Sequence, residues 1–137
     1  MFLRLKKEKG AAALEFALML PLLVLIVFGI TTFGFVYKEY IALTHAARDG
    51  VRLAAIGKDY DYIISQIEQD LPIEIIQSVE VDPLEPTDRI VGYSVTVTVN
   101  RTPIDMKIPF LEIPPIQLTS TAEMRVEYNK PDYNPEE

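Results

Sequence analysis

A mostly apolar run of 21 residues, Phe16 to Val36, constrains this chain more than any other feature. About 20 such residues cross a bilayer as a helix. A basic leader, Met-Phe-Leu-Arg-Leu-Lys-Lys-Glu-Lys-Gly, precedes it and ends at Gly10. From Ala11 to Val36 the one charge is Glu15. A carboxylate at the bilayer centre costs roughly 2.5–3.5 kcal/mol, and less near its edge. Such a charge is seldom carried without a use.

The direction of the span follows from the cations. Arg4, Lys6, Lys7 and Lys9 against Glu8 leave the leader at about +3, so the rest of the chain carries about −10 of the total −7. By the positive-inside rule the leader stays cytoplasmic and the remainder is exported. Tyr37 and Tyr40 follow the apolar run, where interfacial aromatics are expected. A cleavable secretory signal is the rival reading. Its apolar region should be about 7–15 residues with a small-x-small cut after it. This run is longer, and Thr44-His45-Ala46 is a poor match. Pro21 would remove a helical hydrogen bond and is a candidate kink, tolerated in membranes where neighbours satisfy the freed carbonyl. Ala13, Ala17, Gly29 and Gly34 are thin points where another helix could approach.

The acidic remainder argues against a nucleic-acid partner, since phosphate binding needs a basic face. The absence of cysteine excludes disulfides, thiol catalysis and zinc–thiolate sites. About 80 residues follow Gly57, enough for one small core of marginal stability.

Helical periodicity continues past the apolar run. Val36, Tyr40, Leu43, Ala47, Val51 and Ala54 form a stripe, and Gly57 is a stop signal. One helix from Ala11 to Ile56 would be about 69 Å long. Asp59 or Asp61 can cap a second helix running to Leu71, with Ile63, Ile64, Ile67 and Leu71 on one face and Pro72 after it.

The period then changes to two. Tyr93, Val95, Val97 and Val99 alternate with Ser94, Thr96, Thr98 and Asn100, a half-buried strand. A second runs through Leu118, Ser120, Ala122, Met124, Val126 and Tyr128, and Ser78 to Val81 offers a third. Asp82 to Asp88 reads as a loop. Pro103 to Pro115 reads as an extended connection, and the polar tail from Lys130 as disordered. The fold class is α+β: a long N-terminal transmembrane helix continuing into a small exported domain with a short helix and an antiparallel sheet. The expected divisions are a leader over 1–10, the long helix over 11–57, the exported domain over 58–129 and a tail over 130–137.

The segment Gly10-Ala-Ala-Ala-Leu-Glu15-Phe16-Ala-Leu-Met-Leu-Pro21 resembles the start of TadE-like minor pilins, or pseudopilins. The likeness continues through Phe28-Gly29, Phe33-Gly34 and Ala42-Leu-Thr-His-Ala-Ala-Arg48-Asp-Gly50-Val-Arg52. It extends more loosely to Leu118–Glu127. The resemblance implies a subunit of the tight-adherence (Flp) branch of type IV-like pilus systems. It implies cutting by a prepilin peptidase between Gly10 and Ala11, and Glu15 and Phe16 match the Glu-aromatic pair after the cleavage glycine. Major pilins of that system usually carry Tyr after the glutamate, so Phe16 fits a minor subunit better. The implied partners are other pilin subunits, the peptidase, the inner-membrane assembly platform and the lipid bilayer.

Physics gives the pair a role. Cleavage leaves an amine at Ala11, and a neighbour's Glu15 can pair with it in low dielectric as helices stagger. The bland alternative is a glutamate that snorkels to the interface. Arg48, Asp49 and Arg52 share one helix. They are possible subunit contacts, with Asp49 and Arg52 at i,i+3 spacing. His45, the one histidine, has no second ligand at helical spacing, so no metal is expected there. Asp82, Glu85 and Asp88 could touch calcium, but the spacing is not that of an EF-hand loop, and a solvated loop is the simpler reading. Nothing supplies a base and oxyanion hole for a hydroxyl nucleophile, so no enzymatic activity and no cofactor are expected. The competing functions are a permanently membrane-anchored exported binding module that is never cut at Gly10, and a membrane-bound hydrolase.

Overall fold

The computed structural model of the chain describes residues 2–109 and 111–127, and for residues 2–9 and 73 the backbone alone. Helix α1 spans Phe2–Ala55 and passes through Pro21. It starts earlier than the expected Ala11. Leu, Lys and Glu are good helix formers, and one glycine in a helix costs only about 1 kcal/mol. The helix ends where expected. Gly57 has φ of 80°, its N–H donates to the Ala54 carbonyl at 3.1 Å, and the Lys58 N–H donates to the Leu53 carbonyl at 3.1 Å. This paired closure needs a left-handed residue, which glycine adopts without a Cβ clash.

Helix α2, Tyr60–Asp70, is capped by Asp59, whose carboxylate accepts from the Tyr62 N–H at 3.2 Å. Of the expected apolar face, Ile63, Ile67 and Leu71 are buried and Ile64 is partly so. Two single turns of tight helix, Ile73–Ile75 and Pro86–Asp88, flank strand β1, Ile76–Asp82. Strand β2 is Ser94–Arg101, and strand β5, Thr119–Arg125, is reached through a short hairpin of β3, Lys107–Ile108, and β4, Leu111–Glu112. The main sheet has the order β1-β2-β5, antiparallel throughout.

Alternation explains the layering. Val79 and Val81 in β1, and Val95, Val97 and Val99 in β2, face the helices and are buried. The opposite face carries a polar ladder, with Thr98 bonded to Thr121 at 3.0 Å, Asn100 to Ser78 at 3.0 Å and Thr119 to Asn100 at 2.8 Å. The core therefore lies between one face of the sheet and two helices, α2 and the last third of α1 (Leu43, Ala46, Ala47, Val51, Ala54 and Ala55). Gly50 sits where these layers meet. A Cβ there would lie 3.1 Å from the Ile67 Cδ1 and 3.2 Å from the Val97 Cγ1.

Two further expectations change. Tyr40 is on the predicted buried stripe yet 45% exposed, because the body covers the helix fully only from Leu43 onward. The connection from Pro103 to Pro115 is no plain extended link. It doubles back, with Ile104 bridged to Ile116, Lys107 opposite Glu112 and Ile108 opposite Leu111. Its prolines fall outside the short strands, as a missing N–H requires. Tyr128, the end of the expected last strand, and the tail from Lys130 lie outside the described residues.

Candidate assembly surface

From Gly10 to Ile41, α1 presents apolar side chains that no other element buries. Leu14 is 65% exposed, Phe16 64%, Leu18 73% and Phe33 73%. The stretch Gly10–Ala55 is long and apolar enough to cross a membrane, and its most apolar window has none of its residues buried within the protein. In water such a surface would be very costly at about 25 cal/mol per Å². Lipid or neighbouring helices must cover it.

The expected processing and assembly residues all lie on this uncovered part. Gly10, Ala11, Glu15, Phe16 and Pro21 are exposed. A Cβ at Gly10 would meet nothing within 4 Å. Pro21 leaves the Ala17 carbonyl without its helical donor. The same space around Gly29 and Gly34 is open.

Arg48, Asp49 and Arg52 lie about 50 Å farther along the helix from Glu15, so the two sets are not brought together. All three are exposed. They line an open groove of about 690 Å³ between α1 and β5, with Tyr40, Thr44, Thr121 and Glu123. Among the described residues, neither Asp49 nor Arg52 enters an ion pair. The carboxylate and guanidinium face the groove and solvent, available to something outside the chain. Ser120 donates to Thr44 at 3.4 Å and closes the floor.

Two residues that tie body to helix are not evident in the sequence. Arg89 is fully buried. Its guanidinium donates to the carbonyls of Pro83 at 3.0 Å, Leu84 at 2.7 Å and Ala54 at 3.4 Å, and also to that of Lys58. It thereby clamps the β1–β2 loop onto the C-terminal end of α1, where the helix dipole favours a cation. Desolvation lowers its pKa from the ordinary arginine value, opposed by Glu85 and then Asp59. At the opposite end of the body, Arg101 pairs with Glu39 at 3.3 Å, both side chains being largely covered. A lone cation after the acidic loop Asp82–Asp88 was the only available hint of the first. The second joins residues 62 apart in sequence.

His45 is exposed. Glu85 lines a second open groove with Asp59, Asp61 and Glu80. Among the described residues no group of three or more His, Asp or Glu is placed to hold a metal ion.

Residues 10–52 match the family model of TadE-like proteins. That is the uncovered part of α1 together with the beginning of its buried part. No curated protein and no solved structure matches the chain. The match supports a Tad pilus-associated protein with one helix suited to a single-pass membrane anchor.

Proposed function

We propose that this chain is a minor pilin, or pseudopilin, that takes part in assembling a Flp-type pilus by helix packing after a prepilin peptidase cuts between Gly10 and Ala11. The observation that carries the reading is the coincidence of the TadE-like match over 10–52 with a helix left uncovered over its apolar part. A subunit that must pass from lipid into a helical bundle needs such a helix. Its leader stays in the cytoplasm, and its α+β body is exported across the bacterial inner membrane.

In this reading Glu15 has a defined task. Four residues after the new amine of Ala11, it lies about 6 Å along the same helix. Across the bundle it meets the Ala11 amine of a neighbour shifted by that amount. In a low-dielectric setting a matched pair is favoured over an unpaired carboxylate, so the pair selects one stagger. Phe16 and Pro21 pack around it. Farther out, Arg48, Asp49 and Arg52 engage the body of an adjacent subunit through the groove against β5. The protein is thus a substrate of an enzyme and a structural subunit. It works with other pilin subunits and the inner-membrane assembly platform.

The test is the intact mass of the membrane-extracted chain from cells with and without the prepilin peptidase. Peptidase-dependent loss of residues 1–10 is the expected result. An uncut chain in both would sink the processing step and favour a permanently anchored exported module.

A further inference from the structure

Three observations fix where the β3–β4 hairpin sits relative to α1. Ser120 touches Thr44, the Glu127 N–H donates to the Ala55 carbonyl at 3.0 Å, and Arg101 pairs with Glu39. Strand β5 therefore runs alongside α1 in the same direction, and β2 runs against it. The β1–β2 loop lies at the far end of the body, at Ala54. The connection from β2 to β5 lies at the near end, beside the apolar span.

The lengths then place the hairpin. From Ser120 back to Ile116 is four residues, about 13 Å of extended chain. That equals the rise of about nine helical residues, which brings the Ile104–Ile116 bridge level with about Phe35. Strands β3 and β4 continue beyond that bridge, and β3 packs beside α1. Phe35 and Val36 are the last residues of the apolar run, and Tyr37 follows. The hairpin thus stands at the edge of the bilayer that α1 would cross.

Its chemistry suits that layer. Leu111 is 49% exposed. Ile108, Pro109 and Ile113 are each partly exposed. The exposed charges Lys107 and Glu112 stand opposite each other in the register and cancel. A single exposed apolar side chain is ordinary, whereas a cluster of them marks a contact surface; here Ile108, Pro109, Leu111 and Ile113 share one short hairpin beside a helix that already requires lipid.

We propose that the β3–β4 hairpin rests in the interfacial layer of the bilayer on the body's side, with Leu111 in contact with lipid. It gives the body a second foothold beside α1 and sets the angle at which the body stands on the membrane. The proposal rests on α1 being a spanning helix.

The chain has no tryptophan, so a single introduced one reports its own surroundings. Three variants, Leu111→Trp, Phe28→Trp in the span and Tyr93→Trp at the far end of the body, are reconstituted in phosphatidylcholine vesicles with brominated acyl chains. Each is also titrated with iodide in the water. The expected result is that Leu111→Trp emits at shorter wavelength than Tyr93→Trp. It also loses most of its emission to bromine, while Tyr93→Trp loses it only to iodide. Leu111→Trp quenched by iodide and not by bromine overturns the proposal. So does protection from both quenchers, which would mean a protein contact. Failure of bromine to quench Phe28→Trp removes the spanning helix itself, and the hairpin proposal with it. Glu112→Trp, at an exposed site on the same hairpin, gives a second reading should Leu111→Trp not fold.

Discussion

Arg89 and Glu15 are both charged groups in demanding places, one in the body's interior and one on the apolar helix, and their situations are opposite. Arg89 is buried with carbonyl partners in the β1–β2 loop and at the end of α1. Replacing it with methionine keeps an unbranched stem, removes the guanidinium and leaves those carbonyls without a donor. A buried group left unsatisfied costs about 1–3 kcal/mol, so Arg89→Met should destabilise the body by about 3 kcal/mol. Chemical denaturation of the detergent-solubilised chain measures it, and an unchanged midpoint would remove Arg89 from its clamping role. Glu15 has no partner within the chain's described fold and is exposed on α1. Glu15→Ala should leave processing intact and weaken co-assembly, read as mature protein that no longer enters sheared fibres. Unchanged entry would leave Glu15 as a snorkelling group only. Gly10 is different again. With nothing within 4 Å of a Cβ there, Gly10→Leu should not disturb folding. Loss of cutting in that variant would therefore report recognition by the peptidase, and normal cutting would displace the processing site.

At the scale of elements, α1 does two jobs with one continuous helix. Its apolar part is uncovered and its last third is the spine of the body's core. The crossing of α1, α2 and β2 depends on Gly50, whose absent side chain lets the Ile67 and Val97 side chains approach. Gly50→Val should overpack this junction and cost about 1–3 kcal/mol, visible as a lowered thermal midpoint with the fold retained. A midpoint equal to that of the parent would mean the layers move apart freely. The pair Glu39–Arg101 holds the near end of the body against α1. Largely covered from water, it lies between the surface case and the buried case. Glu39→Ala should cost about 2 kcal/mol and free the near end, so that amide exchange speeds up in β3 and β4. Protection equal to the parent's would show that packing alone holds the hairpin.

At the scale of the whole molecule, the body is attached to its helix at both ends, by Arg89 at Ala54 and by Arg101 at Glu39. It has one layer of sheet over the last third of α1, and its polar sheet face looks away. The groove at Arg48, Asp49 and Arg52 and the uncovered apolar helix are separate surfaces on the same spine. A subunit entering a bundle through the helix would present the groove to the next body. Reversing the groove's cations with Arg48→Glu and Arg52→Glu should reduce co-assembly without lowering the stability of the exposed site. Wild-type incorporation would exclude the groove from subunit contact.

Patterns local in sequence were sufficient for much of this. A 21-residue apolar run with cations before it dictates a bilayer-length helix, whatever the body does. The Gly57 closure, the Asp59 cap and the valine alternation of β2 are local too, because they depend on backbone geometry within a few residues. Tertiary structure alone decided the rest. The order β1-β2-β5 is a choice among antiparallel arrangements with the same alternation. Burial of Arg89, the Glu39–Arg101 pair, the close approach at Gly50 and the folding back of the proline-rich connection onto α1 all join residues far apart in the chain. Periodicity tells which face of an element is apolar. Which distant face it meets, and whether a charge finds partners enough to be buried there, depends on the packed whole.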